Sequence, residues 1–225
     1  MSARRPTGPG YRTTRREIRQ FGAGTTAKRA IMFGVDSNSG VGTTSVGGQP
    51  WLIVVSGWTG AGKSTIADLI AAEVGATVAS FDWVMSGLRA FPDVWSKVEL
   101  PVEGQRRIGW TLLLRVAEEQ LRRRASCVLD LVAREEPRIE WQGLAERYGA
   151  RFGVVECVCS DTEVHRSRVE GRRRAIPGWC ELDWAHVVLG RERYVPLAEP
   201  KIVLDAMDGP GENLDLVKWT LLERR

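Results

Sequence analysis

The chain has 225 residues, 43% of them hydrophobic and 27% charged, which suits one ordinary α/β domain with a sizeable core. No run of 18 or more apolar residues occurs, so no transmembrane helix is predicted. The net charge of +4 comes from the start of the chain: residues 1–30 hold eight Lys or Arg and one acid, and the rest has 24 basic and 27 acidic side chains. The mildly acidic body does not indicate nucleic-acid binding.

Residues 1–49 are rich in Gly, Ser, Thr and Arg without a persistent period, which predicts a basic, disordered extension before a folded domain over 50–225. Contact of this extension with phosphate or nucleic acid is left open as an alternative. The pair Arg15-Arg16 invites a twin-arginine export signal, but the apolar stretch that follows is short, and no cleavage site follows it. The four cysteines have no zinc spacing, so we expect a reduced cytoplasmic protein.

From Trp51 onward, short apolar runs alternate with longer amphipathic stretches. The apolar runs predict strands over 51–55, 76–80, 127–131, 153–159 and 202–204. The amphipathic stretches predict helices over 64–74, 105–124, 137–148, 162–172, 182–194 and 214–222. Strands separated by helices indicate parallel βαβ units with right-handed crossovers, which is an α/β fold.

The clearest motif follows the first strand and satisfies GxxxxGK[ST], with a helix predicted immediately after it. Glycines allow positive φ angles, so several backbone N–H groups can surround a phosphate at the positive end of the helix. Lys63 is expected to reach the β- and γ-phosphate oxygens, and the Ser64 hydroxyl to bind Mg²⁺. The motif predicts binding of a nucleoside triphosphate, without distinguishing ATP from GTP, through nine residues: Gly57, Trp58, Thr59, Gly60, Ala61, Gly62, Lys63, Ser64 and Thr65.

Two single aspartates stand at the ends of the next two predicted strands. Asp82 follows the second strand and Asp130 lies within the third. Ligands of open parallel sheets bind beyond the carboxyl ends of the strands, so both carboxylates are expected to face the γ-phosphate. No strand ends in the Asp-Glu or Asp-Asp pair that is usual in motor and regulatory NTPases.

The P-loop and the two aspartates are followed along the chain by Glu156 to Cys159 and then by Arg168 and Arg172. This order of motifs resembles that of the zeta-toxin and polynucleotide-kinase-like P-loop kinases. That group includes small-molecule kinases such as chloramphenicol phosphotransferase and, more distantly, gluconate kinase. The resemblance covers about residues 51–205. It implies a three-layer P-loop NTPase sandwich whose five-stranded parallel sheet has the order 2-3-1-4-5, with an Arg-rich lid.

The resemblance also implies roles for individual residues. Asp82 would accept the proton of the acceptor hydroxyl, and Asp130 would support Mg²⁺ or bind the acceptor. The catalytic set then comprises Lys63, Asp82, Arg168 and Arg172, the last two on a shared face of the lid helix. Trp83 and Arg89, in the region that shapes the acceptor pocket, are expected to bind the acceptor. Structural alternatives remain: a helix cap for Asp82, a buried structural carboxylate for Asp130 and a solvated helix face for the arginines.

The sequence therefore predicts an ATP- and Mg²⁺-dependent kinase acting on a small hydroxylated acceptor such as a nucleoside, nucleotide, sugar or antibiotic. One alternative is a 5′-hydroxyl polynucleotide kinase, but Met85 stands where that group usually has an arginine, and Leu131-Val132 where Ala-Thr is common. The other is a nucleotide-binding regulatory module without phosphotransfer. The sequence predicts no membrane partner, and it leaves the oligomeric state open.

Overall fold

The computed structural model describes residues 48–95 and 101–223, so residues 1–47 of the predicted extension lie outside the described part. Five strands are present in it: β1 (Trp51–Gly57), β2 (Thr77–Ser80), β3 (Cys127–Asp130), β4 (Arg151–Val158) and β5 (Ile202–Asp205). The α-helices are α1 (Lys63–Val74), α2 (Phe81–Arg89), α3 (Pro92–Trp95), α4 (Val102–Arg122), α5 (Glu135–Arg147), α6 (Thr162–Gly171), α7 (Trp184–Glu192) and α8 (Pro210–Val217).

The five strands form one parallel sheet in the order β2-β3-β1-β4-β5. The predicted α/β fold and strand order are therefore confirmed. Asp130 pairs in register with both Val55 of β1 and Ser80 of β2, so the carboxyl ends of these three strands meet at one edge. This edge is where the predicted P-loop and both predicted aspartates come together.

Helices cover both faces of the sheet, and all seven residues of β1 are buried. Successive side chains of this central strand alternate between two cores, as a strand covered on both faces requires. Leu52 and Val54 pack in the core that includes Trp110 of α4 and Trp141 of α5. Trp51, Ile53 and Val55 pack in the opposite core, with residues of α1 and α8. The three-layer arrangement fixes β1, and with it the start of the P-loop, at the centre of the domain.

Two of the differences from the predicted helix boundaries have a clear physical cause. The last α-helix begins at Pro210 rather than at 214, because Glu212 accepts a hydrogen bond from the Gly209 N–H (3.3 Å) and Pro210 suits the first helical turn. A π-helical turn, Lys218–Leu222, follows it. The helix α6 ends at Gly171, a poor helix former, and Arg172 has extended backbone. The prediction that Arg168 and Arg172 share a helical face is therefore wrong.

Within residues 48–95 and 101–223, no helix combines the length and the apolar composition that crossing a membrane requires.

Candidate functional site

The P-loop packs so closely against its neighbours that two of its glycines cannot be replaced without displacement. Gly57 has a φ of 131°, and a Cβ there would lie 2.1 Å from the Cys157 carbonyl oxygen of β4. Gly60 has a φ of 86°, and its Cβ would lie 2.6 Å from the Val169 side chain of α6. The glycines therefore provide both a left-handed backbone and a close approach to β4 and α6.

The helix α1 starts directly from the loop, with Gly62 in the left-handed conformation at its N-cap and no acidic residue in its first turn. Its positive end thus lies at the P-loop. Lys63 is buried, and its Nζ donates to the Trp58 carbonyl at 2.9 Å. Burial lowers the pKa of Lys63, while the carboxylates of Asp130 and Asp82 oppose that shift. The Lys63 ammonium is therefore held inside the P-loop, near the carboxylates of Asp130 and Asp82.

Ser64 and Asp130, the two predicted Mg²⁺ ligands, are in direct contact. The Ser64 hydroxyl donates to Asp130 Oδ2 at 2.8 Å. Burial raises the pKa of Asp130, and the charge of Lys63 together with this hydrogen bond opposes the shift. A hydroxyl and a buried carboxylate are oxygen ligands of the kind that Mg²⁺ takes beside nucleotide phosphates. The pair therefore fits the predicted metal, directly or through water.

Asp82 is the second residue of α2, half-buried at the sheet edge, and it forms an ion pair with Arg174. Arg174 also binds Glu181 through Nε and Nη2, both at 3.0 Å. Burial alone would lower the pKa of Arg174, but its hydrogen bonds to Glu181 and Asp82 raise it. The candidate base is thus joined to the irregular segment 172–183, which we call the lid segment.

The two predicted lid arginines approach the P-loop from different backbone settings. Arg168, in the last turn of α6, donates to the Ala206 carbonyl at 3.1 Å. Arg172 lies just after the helix, and burial together with the neighbouring Arg174 lowers its pKa. Both line a cleft of about 280 Å³ over Gly60, Gly62 and Lys63. Although Arg168 and Arg172 do not share a helical face, both therefore lie at the P-loop.

Two further cavities open on either side of this cleft. The β5 cavity, of about 450 Å³, lies between the P-loop and the turn after β5, and its lining includes Thr65, Arg168, Leu204, Met207 and Asn213. The β3 cavity, of about 170 Å³, has Lys63, Asp82, Asp130, Arg172 and Arg174 in its lining. The cleft between them carries the P-loop amides and arginines. The arrangement can hold a chain of phosphates, with one organic group at each end.

Of the four residues predicted to bind the acceptor, Asp82 and Asp130 belong to the described lining of the β3 cavity, whereas Trp83 and Arg89 do not. Trp83 is 54% exposed and lines a neighbouring cavity, with Ser64, Asp68 and Asp130. The Arg89 guanidinium lies 4.4 Å from the centre of the Trp179 ring, and Trp179 is the one of this pair that lines the β3 cavity. Direct contact of Trp83 or Arg89 with an acceptor stays a prediction.

Several site residues were not found from the sequence. Besides Arg174 and Glu181, they include His165 of α6, whose Nε2 lies 2.7 Å from the Thr59 carbonyl. A carbonyl only accepts, so Nε2 carries the proton; burial lowers the pKa of His165, which keeps the ring neutral. In the sequence, the only indication of this role was that His165 and Val169 are one helical turn apart, which predicts that they share a helix face. Both are buried in the structure. This spacing marks the face of α6 that packs on the P-loop.

Trp58 belongs to the P-loop, yet its side chain is held by the chain beyond the lid segment. Its ring meets Tyr194 edge-on at 5.2 Å, and it packs so tightly on Gly190 that a Cβ there would lie 2.5 Å away. The Tyr194 hydroxyl donates to buried Glu156, which also pairs with Lys201 at 2.6 Å. A buried network thus fixes the residue whose carbonyl receives the Lys63 ammonium.

Solved structures with this fold include several kinases. The chain aligns with a sugar kinase from Janibacter sp. HTCC2649 (20% identity, TM-score 0.55), over 77% of this chain and 95% of the other. It aligns with the Mycobacterium tuberculosis APS kinase CysC in complex with AMPPNP and APS (19%, 0.53; 78% and 99%). It also aligns with a gluconokinase from Sinorhizobium meliloti 1021 (16%, 0.51; 74% and 88%). At these identities the similarity establishes the fold alone.

A comparison of the sequence with curated proteins found no match. A protein-family model described as an AAA domain matches residues 52–197, which include the P-loop, both aspartates and the lid segment. This match covers well over half of the 225 residues, and the chain therefore belongs to this AAA domain family.

Proposed function

We propose that this protein is a kinase that transfers the γ-phosphoryl group of ATP to a hydroxyl group of a small molecule. The observation that carries the proposal is the lining of the β3 cavity, where the P-loop lysine, the Ser64–Asp130 pair and Asp82 face the same space. A nucleotide-binding site needs the first three. A carboxylate that can receive a proton beside them is the additional part that phosphoryl transfer to an alcohol uses.

The cavities suggest how the substrates lie. The nucleoside of ATP occupies the β5 cavity, and its phosphates follow the cleft past Arg168 to the P-loop amides. Lys63 and Arg172 then lie beside the γ-phosphate, where they balance the charge that moves during transfer. The acceptor occupies the β3 cavity with its hydroxyl toward Asp82. This placement also puts the two organic groups on opposite sides of the transferred phosphoryl group.

The reaction then needs one proton movement by the protein. The acceptor oxygen attacks the γ-phosphorus, the bond from that phosphorus to the β–γ bridging oxygen breaks, and ADP leaves. Asp82 accepts the proton of the attacking hydroxyl. Ser64 and Asp130 would hold Mg²⁺, which would supply positive charge to offset that of the phosphates. Arg174 must leave Asp82 before the carboxylate can act, so we expect the lid segment to move during each turnover.

The resemblance to zeta-toxin-like and polynucleotide-kinase-like enzymes is retained within this proposal as a narrower prediction. A polynucleotide acceptor is less favoured than a small molecule, because the β3 cavity measures only about 170 Å³ and ion pairs of the lid segment border it. The basic residues that could hold a strand lie in residues 1–30, outside the described part of the chain.

One observation favours a second candidate, a nucleotide-binding regulatory module. The Arg174 guanidinium holds the Asp82 carboxylate in an ion pair, so the carboxylate is not free to contact an acceptor hydroxyl while this pair persists. In a regulatory module this contact would persist when nucleotide binds, and no acceptor would accelerate ADP formation.

Acceptor-dependent ADP release distinguishes the two candidates. Purified protein with Mg²⁺ and ATP is incubated with separate pools of alcohols, sugars, nucleosides and a 5′-hydroxyl oligonucleotide, and each pool is analysed by mass spectrometry for addition of a phosphoryl group. A kinase gives faster ADP release with one pool and a phosphorylated product in it. ATP binding with no acceleration by any pool would support the regulatory module and contradict the proposal.

A further inference from the structure

The β3 cavity has a second set of lining residues that phosphoryl transfer does not use. When the transfer groups and Arg174 are set aside, the remaining lining is mainly apolar. It includes four aromatic residues, Trp58, Phe81, Trp110 and Trp179. Leu131, Val132 and Leu182 add aliphatic surface. The part of the cavity that would contact the body of an acceptor is therefore aromatic and aliphatic rather than polar.

Each aromatic wall is held in place by a separate contact. Trp110 is buried in the core beneath α4. Phe81 lies so close to α4 that a Cβ on Gly109 would be 2.2 Å from its ring. Trp58 is held by Tyr194, and Trp179 lies under the Arg89 guanidinium. Trp58, Phe81 and Trp110 lie outside the lid segment, so these three walls need no reordering, which favours a planar apolar ligand.

The described lining of the β3 cavity holds one cation outside the transfer machinery and the lid segment, Arg106. Its side chain is 42% exposed, so solvent screens its charge, and it shares Glu103 with Arg134 at 3.4 and 3.3 Å. An anionic acceptor would therefore gain little from it. In addition, the Trp179 indole N–H is buried and makes no hydrogen bond within the described residues. A neutral ligand with one acceptor oxygen near this ring would relieve that unsatisfied donor.

From these observations we infer that the acceptor is a neutral aromatic alcohol, with Trp179 as a residue that determines this specificity. The inference rests on the proposed kinase function and names its substrate class. The reaction is the phosphoryl transfer described above. The hydroxyl oxygen of the aromatic alcohol forms a bond to the γ-phosphorus while the bond from that phosphorus to the β–γ bridging oxygen breaks, the hydroxyl proton passes to Asp82, and ADP leaves. A polyol or sugar acid fits this lining poorly, because several of its hydroxyls would be buried without hydrogen-bond partners.

The test measures both transfer and binding on the full-length protein. The aromatic probes are 2-phenylethanol and tryptophol, and the polar probes are glycerol and gluconate. We expect kcat/KM for an aromatic probe to exceed that for either polar probe by about 10²-fold or more. Trp179→Ala should raise KM for the aromatic probe about tenfold and leave nucleotide affinity unchanged. Trp219→Ala, a change at an exposed tryptophan of the closing π-helical turn, is the matched control.

Calorimetric binding of each probe in the presence of the non-hydrolysable ATP analogue AMPPNP keeps failure of the inference separate from failure of the kinase proposal. The inference is supported if an aromatic probe is phosphorylated in preference to the polar probes. It is also supported if an aromatic probe binds and Trp179→Ala weakens that binding. Transfer to glycerol or gluconate with no response to aromatic probes overturns it and leaves the kinase proposal standing. If the aromatic probes neither bind nor react, the inference is wrong. If they bind but no probe of either kind is phosphorylated, the kinase proposal fails and the aromatic preference of the cavity stands.

Discussion

The P-loop and the lid segment face each other across the same cleft but are held by different forces. The P-loop is fixed by backbone geometry, by the packing of Gly57 on β4 and Gly60 on α6, and by the buried strand β1. The lid segment, 172–183, has no helix or strand, and its described ion pairs join side chains that keep 19–30% of their surface exposed. Such contacts are weaker than core packing and are more easily exchanged for contacts with a ligand.

This difference suggests a division of labour. The rigid side presents amides, Lys63 and the Ser64–Asp130 pair in a fixed arrangement before ATP arrives, which is how electrostatic stabilisation works best. The ion-paired side can exchange Arg174 contacts for phosphate contacts and so release Asp82.

The largest effect is expected on the rigid side. Lys63→Ala should lower phosphoryl transfer by at least about 10³-fold, because the ammonium beside the γ-phosphate is lost. ADP release under saturating acceptor measures it. Lys218→Ala, which removes a surface lysine paired with Glu73, is the control and should remain near wild type. Turnover by Lys63→Ala at the wild-type rate would contradict the assigned role of the P-loop.

Asp82 belongs to the sheet edge but is held by the lid segment, so its replacement tests where the two sides meet. Asp82→Asn should lower transfer by about 10²-fold or more and leave ATP affinity nearly unchanged, because a base is lost while the side-chain shape is kept. Single-turnover kinetics and nucleotide titration measure the two quantities. Asp93→Asn, at an exposed position of α3, is the matched control. A parallel loss of ATP affinity would instead make Asp82 a structural residue.

Arg172 should act mainly on the transition state. Arg172→Ala is expected to slow transfer about tenfold while weakening ATP binding less, because a guanidinium that neutralises moving charge matters most during transfer. Comparison of kcat with the dissociation constant of AMPPNP tests this prediction. Arg173→Ala, at the adjacent exposed arginine, serves as control. Equal losses in rate and affinity would assign Arg172 to ground-state binding.

Hydrogen exchange compares the two sides without catalysis. Arg174→Ala removes the contacts to Asp82 and Glu181, so amides in 172–183 should exchange about tenfold faster, while those in 51–74 stay protected. Mass spectrometry of peptides from both regions gives the comparison. If the two regions change together, the lid segment does not move independently of the P-loop.

The smallest perturbation is thiol labelling. Cys180 of the lid segment is exposed, whereas Cys157, beside the P-loop, is buried and burial raises its pKa to about 12. Cys127 is also buried, with its pKa raised to about 12 by burial. At about pH 8 the native protein should react with one equivalent of a disulfide reagent, and Cys180→Ser should abolish that reaction. Rapid labelling of the Cys180→Ser protein would mean that the rigid side opens.

The sequence allowed the rigid side to be predicted because its requirements are local. Glycines at three loop positions, a lysine at the start of a helix and a buried strand before it constrain one another within a few residues. The strand order followed from the alternation of strands and helices together with the family resemblance. Asp82 and Asp130 could be placed at one edge because parallel strands end on the same side of a sheet.

The ion-paired side could not be predicted in the same way, because its contacts join distant parts of the chain. Arg174 and Asp82 are 92 residues apart, and His165 lies 106 residues from the carbonyl that it supports. No local pattern distinguishes Arg174 from the other arginines of its segment, so the sequence favoured Arg168 and Arg172. Similarly, Trp83 was preferred among nine tryptophans, whereas packing placed Trp58, Trp110 and Trp179 at the β3 cavity.

The most direct measurement follows the γ-phosphate itself. Full-length protein is incubated with Mg²⁺, ATP carrying ¹⁸O on its γ-phosphate and a hydroxylated acceptor, and all phosphorus-containing products are identified by mass spectrometry. We expect the acceptor to gain a phosphoryl group that bears the label, in step with ADP formation, and Asp82→Asn to suppress this product. Label found only in inorganic phosphate, or retained entirely in ATP across the acceptor pools, would contradict the proposed transfer.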